Sequence, residues 1–285
     1  MNDVFPTGKP HISYSEIKTW DECPKKHKLM YVDKIQTFVD NPYSDFGTII
    51  HEEIEYFLKN KSIDIERVYT KLDIVWKEKK YDSQDYIEKI TAERVQNGWK
   101  YVHETLDMWK TSAKNILSQF PDFMNKEFPG WELICAELQL YEDINESEIK
   151  FKGFVDCVIT VPVKNKKVFW VIDWKTTGKT GWYYTKRKEF ISLAQIGLYK
   201  SFLAKKLDVS LRDIRVGYVF LKRGAKPNNT CELLKVSVGS KFVDKTDKLI
   251  KRMIAAVKKG ISLKNPNGCK FCPYRNTEHC NGNGW

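Results

Sequence analysis

The apolar pattern of this 285-residue chain changes period at Gly130, and that change limits what it can fold into. Before it, apolar residues recur at helical spacing, with Ile50, Ile54, Phe57 and Leu58 marking one face of a helix that starts near Gly47. A first helix is expected from a cap at Ser13 or Ser15 to about Met30, with Glu16 placed to meet its dipole. Two further helical stretches fall at 63–80 and 84–126, the last ending near Pro121 and Pro129. After Gly130 come three short runs rich in β-branched and aromatic residues, Trp131–Tyr141, Phe151–Val161 and Val168–Thr176. Polar turns at Glu142–Glu148 and Lys164–Lys167 separate them. A helix over Lys188–Leu207, strands over Ile214–Leu221 and Cys231–Val238, and a helix over Lys241–Lys259 follow. This order predicts an α/β fold with a mixed central sheet flanked by helices. We read residues 1–285 as a single domain: a helical part over 1–130, an α/β core over 131–260, and a cysteine-rich tail over 261–285 that docks on the first helix.

Composition narrows the class. Hydrophobic residues make up 42% and aromatics 13%, enough to exclude a largely disordered chain. The formal charge is +11, which favours a polyanionic partner because cations that meet phosphates release condensed counterions. No apolar run approaches the ~18–20 residues that span a bilayer, and the start, Met-Asn-Asp-Val-Phe-Pro, lacks the pattern of a signal peptide. A soluble, cytoplasmic protein with no membrane partner is therefore expected. In a reducing compartment clustered cysteines read as metal ligands, not disulfides. Cys135, Cys157 and Cys231 lie inside strand-like runs and read as small buried hydrophobes.

The segment Val171-Ile172-Asp173-Trp174-Lys175-Thr176 puts Asp173 and Lys175 on one face of a strand and Ile172 and Trp174 on the other. A surface ion pair is the plain reading of such a pair. The apolar surroundings weigh against it, because a central strand hides polar side chains unless chemistry requires them. Gly153-Phe154-Val155-Asp156 sets a second lone carboxylate in an apolar strand. If the two strands form a hairpin, Asp156 and Asp173 approach and repel, and a divalent cation such as Mg²⁺ or Mn²⁺ resolves the conflict. Lys175 is then placed to orient an attacking water and stabilise developing charge. His51, one turn after Gly47, is a possible third ligand, although a lone helical histidine is more often a surface or core residue. Gln195 and Tyr199 share a helix face at i, i+4, where packing is the commoner role.

In order, Gly47…His51, Gly153…Asp156, Asp173…Lys175 and Gln195…Tyr199 resemble the motifs of the RecB-like exonuclease branch of the PD-(D/E)XK nuclease superfamily, a restriction-endonuclease-like fold. The resemblance spans about residues 12–280. It implies His51, Asp156 and Asp173 as metal ligands, Asp156, Asp173 and Lys175 as the catalytic set, and Gln195 and Tyr199 as substrate-side residues. Glu137 is not counted as a ligand. Asp173 stands where many superfamily members carry Glu. The activity implied is metal-dependent DNA hydrolysis, exonucleolytic, in repair, recombination or phage-type DNA processing. The alternative is a catalytically silent DNA-binding or scaffold module on the same fold.

Cys269-x-x-Cys272-x₇-Cys280, with Cys23 far upstream, has a spacing used for metals and clusters. It resembles the iron–sulfur cysteine set of AddB-type and CRISPR-associated nucleases, which implies a [4Fe-4S] cluster. Structural Zn²⁺, with His279 as a further donor, is the alternative. Thr176-Thr177-Gly178-Lys179-Thr180 is not a phosphate loop, since the position five before Gly178 is Asp173. A helicase motor would thus have to come from a partner, such as a helicase or recombination protein. Basic runs at Lys164–Lys167, Lys179, Lys186–Lys188, and Lys222, Arg223 and Lys226 surround the site in this reading. Trp182, Tyr183 and Tyr184 interleave with them, and Trp182 and Tyr183 are expected to stack on bases of single-stranded DNA or duplex ends.

Overall fold

The computed structural model describes residues 5–36, 40–96, 102–144, 147–270 and 272–281. The chain runs β1 (His11–Ile12), α1 (Tyr14–Glu22), α2 (Pro24–His27), a π-helical turn (Lys28–Val32), α3 (Pro42–Asn60), α4 (Ile65–Lys79), α5 (Gln84–Gln96) and α6 (Leu106–Glu127). It continues with β2 (Glu132–Asp143), β3 (Lys150–Val163), β4 (Lys166–Thr177), α7 (Phe190–Leu207), β5 (Ile214–Lys222), β6 (Cys231–Val236) and α8 (Ser240–Lys258). The mixed sheet flanked by helices is the expected α/β fold.

Three expected boundaries move. Ser13 caps α1 through the N–H of Glu16, as anticipated, but the helix stops at Glu22 and does not reach Met30. Pro24 drives the preceding residue out of the helical region, and Cys23 is extended with φ −164°. Glu16 is buried and meets His27 Nε2 at 3.0 Å. The second helix begins at Pro42, capped by Asn41, five residues ahead of Gly47. The 84–126 stretch is two helices, α5 and α6; the expected continuity over 97–101 falls outside the described residues. Pro121 lies inside α6, which runs on to Glu127.

Six strands form one sheet. β3 pairs antiparallel with β2 along one side; its other side holds β1 in parallel at Lys150–Phe151 and β4 antiparallel from Cys157 to Val163. β4 pairs with β5 in parallel through the α7 crossover, and β6 closes the far edge antiparallel to β5. One face packs on α3, α4 and α6 through an aromatic core that includes Phe46, Trp109, Phe120 and Trp174. The other packs on α1, α7 and α8 through Ile17, Phe151, Tyr218 and Met253.

Strand alternation slips in the middle of the β2–β3 ladder. Val155 and Cys157, two residues apart, belong to opposite cores, and so do Leu138 and Ala136 on β2. Between the pairs Ala136–Cys157 and Leu138–Val155 the ladder skips Glu137 and Asp156, and Glu137 has φ +54°. A left-handed glutamate in a strand carries steric cost, on the order of 1–2 kcal/mol. The irregularity turns Asp156 away from regular pairing at the point where β4 leaves β3.

Candidate active site

The β3–β4 ladder ends at Cys157–Ile172. Beyond it the strands splay, and the freed N–H of Trp174 donates to Asp156 Oδ2 at 2.8 Å in place of a ladder carbonyl. The hairpin expected from sequence thus brings Asp156 and Asp173 to one place. Asp173 faces the α7 side with Val171 and is only 1% exposed. Its Oδ2 lies 2.6 Å from Lys175 Nζ in an ion pair. Two buried carboxylates sharing a single ammonium leave negative charge that a divalent cation would offset.

Lys175 is tied down from α7. Its Nζ donates to Gln195 Oε1 at 3.0 Å, and Gln195 Nε2 donates to Tyr199 Oη at 3.1 Å. The i, i+4 pair therefore forms a chain ending on the lysine. Tyr199 is buried and stands behind Gln195, so the placement of its ring is structural and not open to a substrate strand.

Two glycines have steric reasons. A Cβ on Gly47 would come within 3.0 Å of Thr176 Oγ1, so the glycine lets α3 press against the end of β4. His51, one turn on, then reaches Asp156 Oδ2 with Nδ1 at 3.8 Å. A Cβ on Gly153 would meet the Tyr199 ring at 2.9 Å, so this glycine admits the tyrosine beside β3.

The electrostatics are those of a site short of positive charge. Burial, then repulsion from Asp173, pushes the Asp156 carboxyl well above the usual range. Burial also raises Asp173, while Lys175 opposes it. His51 is held neutral, its pKa driven down to about 4 by burial and then by Lys175. Neutral imidazole and paired carboxylates are the donor set that suits a divalent cation. The close approach of two buried carboxylates beside a single ammonium fits such an ion. Among the described residues, no three His, Cys, Asp or Glu side chains close around one point as a full ligand shell. Glu137, across from Asp156, is pushed upward by burial, then by Glu55 and by Asp173. Its left-handed backbone has no sequence signature, because glutamate is not a residue that announces that conformation.

The basic surroundings are smaller than expected. Lys164–Lys167 lie at the far turn of the β3–β4 hairpin; Lys166 is about 23 Å from Asp173 along the strand. Lys222 is buried against Asn229 and Glu232, and Arg223 pairs with Glu104 while covering the Trp109 ring. Neither faces a substrate track. Trp182 packs on Tyr218 and Phe220, with centroids 4.8 and 5.2 Å apart, and Arg187 holds its carbonyl. Tyr183 and Tyr184 are 71% and 70% exposed, and Lys188 stacks on Tyr184.

The tail contacts the end of the first helix. Lys25 N–H donates to Leu263 O at 3.1 Å, and Asn265 reaches both Cys23 Sγ and Glu22 O. Gly268 sits so close that a Cβ would lie 2.7 Å from Glu22 O. The Cys272 thiol is raised by burial, with Cys23 and Cys280 near enough to add to the effect. Cys269 Sγ contacts Asn265 O at 3.8 Å. Of the three cysteines read as buried hydrophobes, Cys157 is fully buried while Cys135 and Cys231 are half-buried.

The chain belongs to the PD-(D/E)XK nuclease superfamily, whose family model matches residues 11–277. No curated protein sequence matches it. Among solved structures it is similar to a candidate exonuclease from Eubacterium rectale, at 11% identity and TM-score 0.48 over 88% of this chain and 82% of that one. It is also similar to SSO0001, at 11% identity and TM-score 0.33 over 91% and 93%. Likenesses this distant carry no weight for activity. Among the described residues no helix is long and apolar enough to cross a membrane.

Proposed function

We propose that this chain is a divalent-metal-dependent deoxyribonuclease of the RecB-like branch, acting as an exonuclease in DNA repair, recombination or phage-type processing. The observation that carries the reading is the convergence of Asp156, Asp173 and Lys175 at the splay of β3 and β4, two buried carboxylates beside a single ammonium. Asp156, Asp173 and His51 would hold Mg²⁺ or Mn²⁺. When bound, such an ion supplies Lewis acidity toward a phosphodiester. Lys175 stands beside the carboxylates with its ammonium fixed by Gln195, placed to orient a water and to meet the negative charge that develops on phosphate. Gln195 positions the lysine, and Tyr199 positions Gln195. Tyr183, exposed on the loop after β4, offers a base-stacking ring, while Trp182 next to it packs on Tyr218 and Phe220.

In the same reading, the chain is one domain whose tail is fastened to α1 by a [4Fe-4S] cluster on Cys23, Cys269, Cys272 and Cys280, with Zn²⁺ as the alternative. What supports it is the docking of the tail on the end of α1, where Asn265 N–H donates to Cys23 Sγ and Gly268 seats against Glu22 O. A helicase or recombination protein is the partner expected of a nuclease without a phosphate loop.

The test is incubation of end-labelled single- and double-stranded DNA with the protein and Mg²⁺ or Mn²⁺. Progressive shortening from an end is expected. Binding without cleavage under all conditions would replace this reading with the silent DNA-binding module.

A further inference from the structure

At the opposite end of the sheet from Lys175, a groove of ≈ 510 Å³ opens where β5 begins and β6 ends. Its walls include Trp170, Lys200, Arg212, Arg215, Lys235 and Gly239, and no acidic residue. Four cations around one groove is a high local charge even in a chain of net +11.

Lys200 is the unusual member. It lies on α7, one residue past Tyr199, and is 8% exposed. Its ammonium donates to Val238 O at 2.9 Å, and among the described residues it has no ion pair with a carboxylate. Burial lowers its pKa, with no acidic group acting against that. Buried ammonium groups are ordinarily paired, and this one has a carbonyl where a counter-ion is expected. Arg212, Arg215 and Lys235 are exposed beside it. Gly239 is the N-cap of α8, a 19-residue helix without a side-chain cap, so the helix's first N–H groups add to the same field.

We infer that this groove binds a backbone phosphate of the nucleic acid at a point away from the scissile bond, making it a second contact that holds the strand or duplex on the enzyme. The phosphate chemistry follows from the groove; its assignment to DNA rests on the nuclease reading. α7 borders both places, with Gln195 turned to Lys175 and Lys200 turned to the groove.

The test compares wild type with the triple variant Arg212→Gln/Arg215→Gln/Lys235→Gln by fluorescence anisotropy on a long DNA, without divalent metal so that binding is read apart from cleavage. The triple variant is expected to bind about tenfold more weakly at low salt, with the log–log salt slope reduced by about 2–3. Hydrolysis of a p-nitrophenyl nucleotide ester, too small to reach the groove, should be unchanged. A control removing three exposed lysines elsewhere, Lys77→Gln/Lys89→Gln/Lys114→Gln, should have much less effect. Wild-type affinity and slope in the triple variant, or an equal loss in the control, would overturn the proposal. Thermal stabilisation by inorganic phosphate that the triple variant loses, with DNA affinity untouched, would show a free-phosphate site and overturn the DNA assignment. Failure of wild type to hydrolyse any substrate would instead remove the nuclease reading and leave the binding result standing.

Discussion

Asp156, Asp173 and Lys175 are held by a six-stranded sheet and two long helices, whereas Cys23, Cys269, Cys272 and Cys280 hang between a nine-residue helix and a tail without regular strands. At the first place the backbone is overdetermined: the β4–β5 ladder, α3 through Gly47 and α7 through Gln195 all fix the side chains. At the second, a few hydrogen bonds and the close seat of Gly268 do the same work. Substitution at the two places should therefore have opposite consequences. In the sheet it should damage chemistry and spare the fold; at the cysteines it should damage the fold and spare the chemistry.

The largest expected effect tests the first half. Lys175→Ala should lower the cleavage rate by at least about 10²–10³-fold, the scale of losing one aligned electrostatic group. The melting temperature and DNA affinity should stay near wild type. A Lys175→Ala protein that cleaves at the wild-type rate would remove the site assignment altogether.

The cysteines test the second half. A cluster joining Cys23 to the tail closes a loop of more than two hundred residues, and a long-range crosslink contributes about 2–5 kcal/mol. Protein purified without oxygen should be brown, and Cys→Ser at any of the four should bleach it and lower stability by that order. Cys135→Ser, Cys157→Ser and Cys231→Ser should not bleach it. Colourless protein with stoichiometric zinc would select the alternative metal; absence of any metal there would end both versions.

A smaller effect separates two neighbours on the loop after β4. Tyr183→Ala should weaken single-strand binding by roughly 1–3 kcal/mol if a base stacks on it. Trp182→Ala should instead lower stability, because its ring packs on Tyr218 and Phe220. Equal loss of affinity with no loss of stability in both would return Trp182 to the substrate face.

Much of this was legible in the sequence, and the reasons differ by residue. Strand periodicity gave five of the six strands, missing only the two-residue β1, whose pairing with β3 has no local pattern. Lone carboxylates in apolar runs marked Asp156 and Asp173 because burial of charge is costly enough to be informative. Gly47 and Gly153 could be seen as motif residues but not explained, since what their missing Cβ atoms would strike belongs to distant segments. The basic runs misled at Lys164–Lys167, Lys222 and Arg223 because charge along a chain does not say which face or which partner it meets. The left-handed Glu137 and the buried, acid-free Lys200 are products of tertiary packing alone.

The smallest expected effect concerns pH and reads the carboxylate pair directly. Folded Asp173 and Asp156 have pKa values raised above their ordinary 3.8, chiefly by burial. From about pH 4 upward the folded state therefore holds more protons than the unfolded state, and the contribution to stability falls as pH rises through the raised values. His51 acts with the opposite sign: its folded pKa of about 4 lies below the ordinary 6.5, so its contribution is present above 6.5 and is lost as pH falls toward 4. The two slopes oppose each other between about pH 4 and 6.5 in metal-free wild type. Asp173→Asn removes one raised carboxylate and leaves His51 in place. The melting temperature of Asp173→Asn minus that of wild type should thus climb with pH without metal, by about 2–4 °C for each kcal/mol involved. Adding Mg²⁺ or Mn²⁺ should reverse the difference, because an ion bound to the ionised pair stabilises wild type and has lost a ligand in the variant. A difference that is flat with pH and indifferent to metal would mean that Lys175 alone satisfies Asp173, and that the sheet site is an internal ion pair like the one between Arg67 and Glu53.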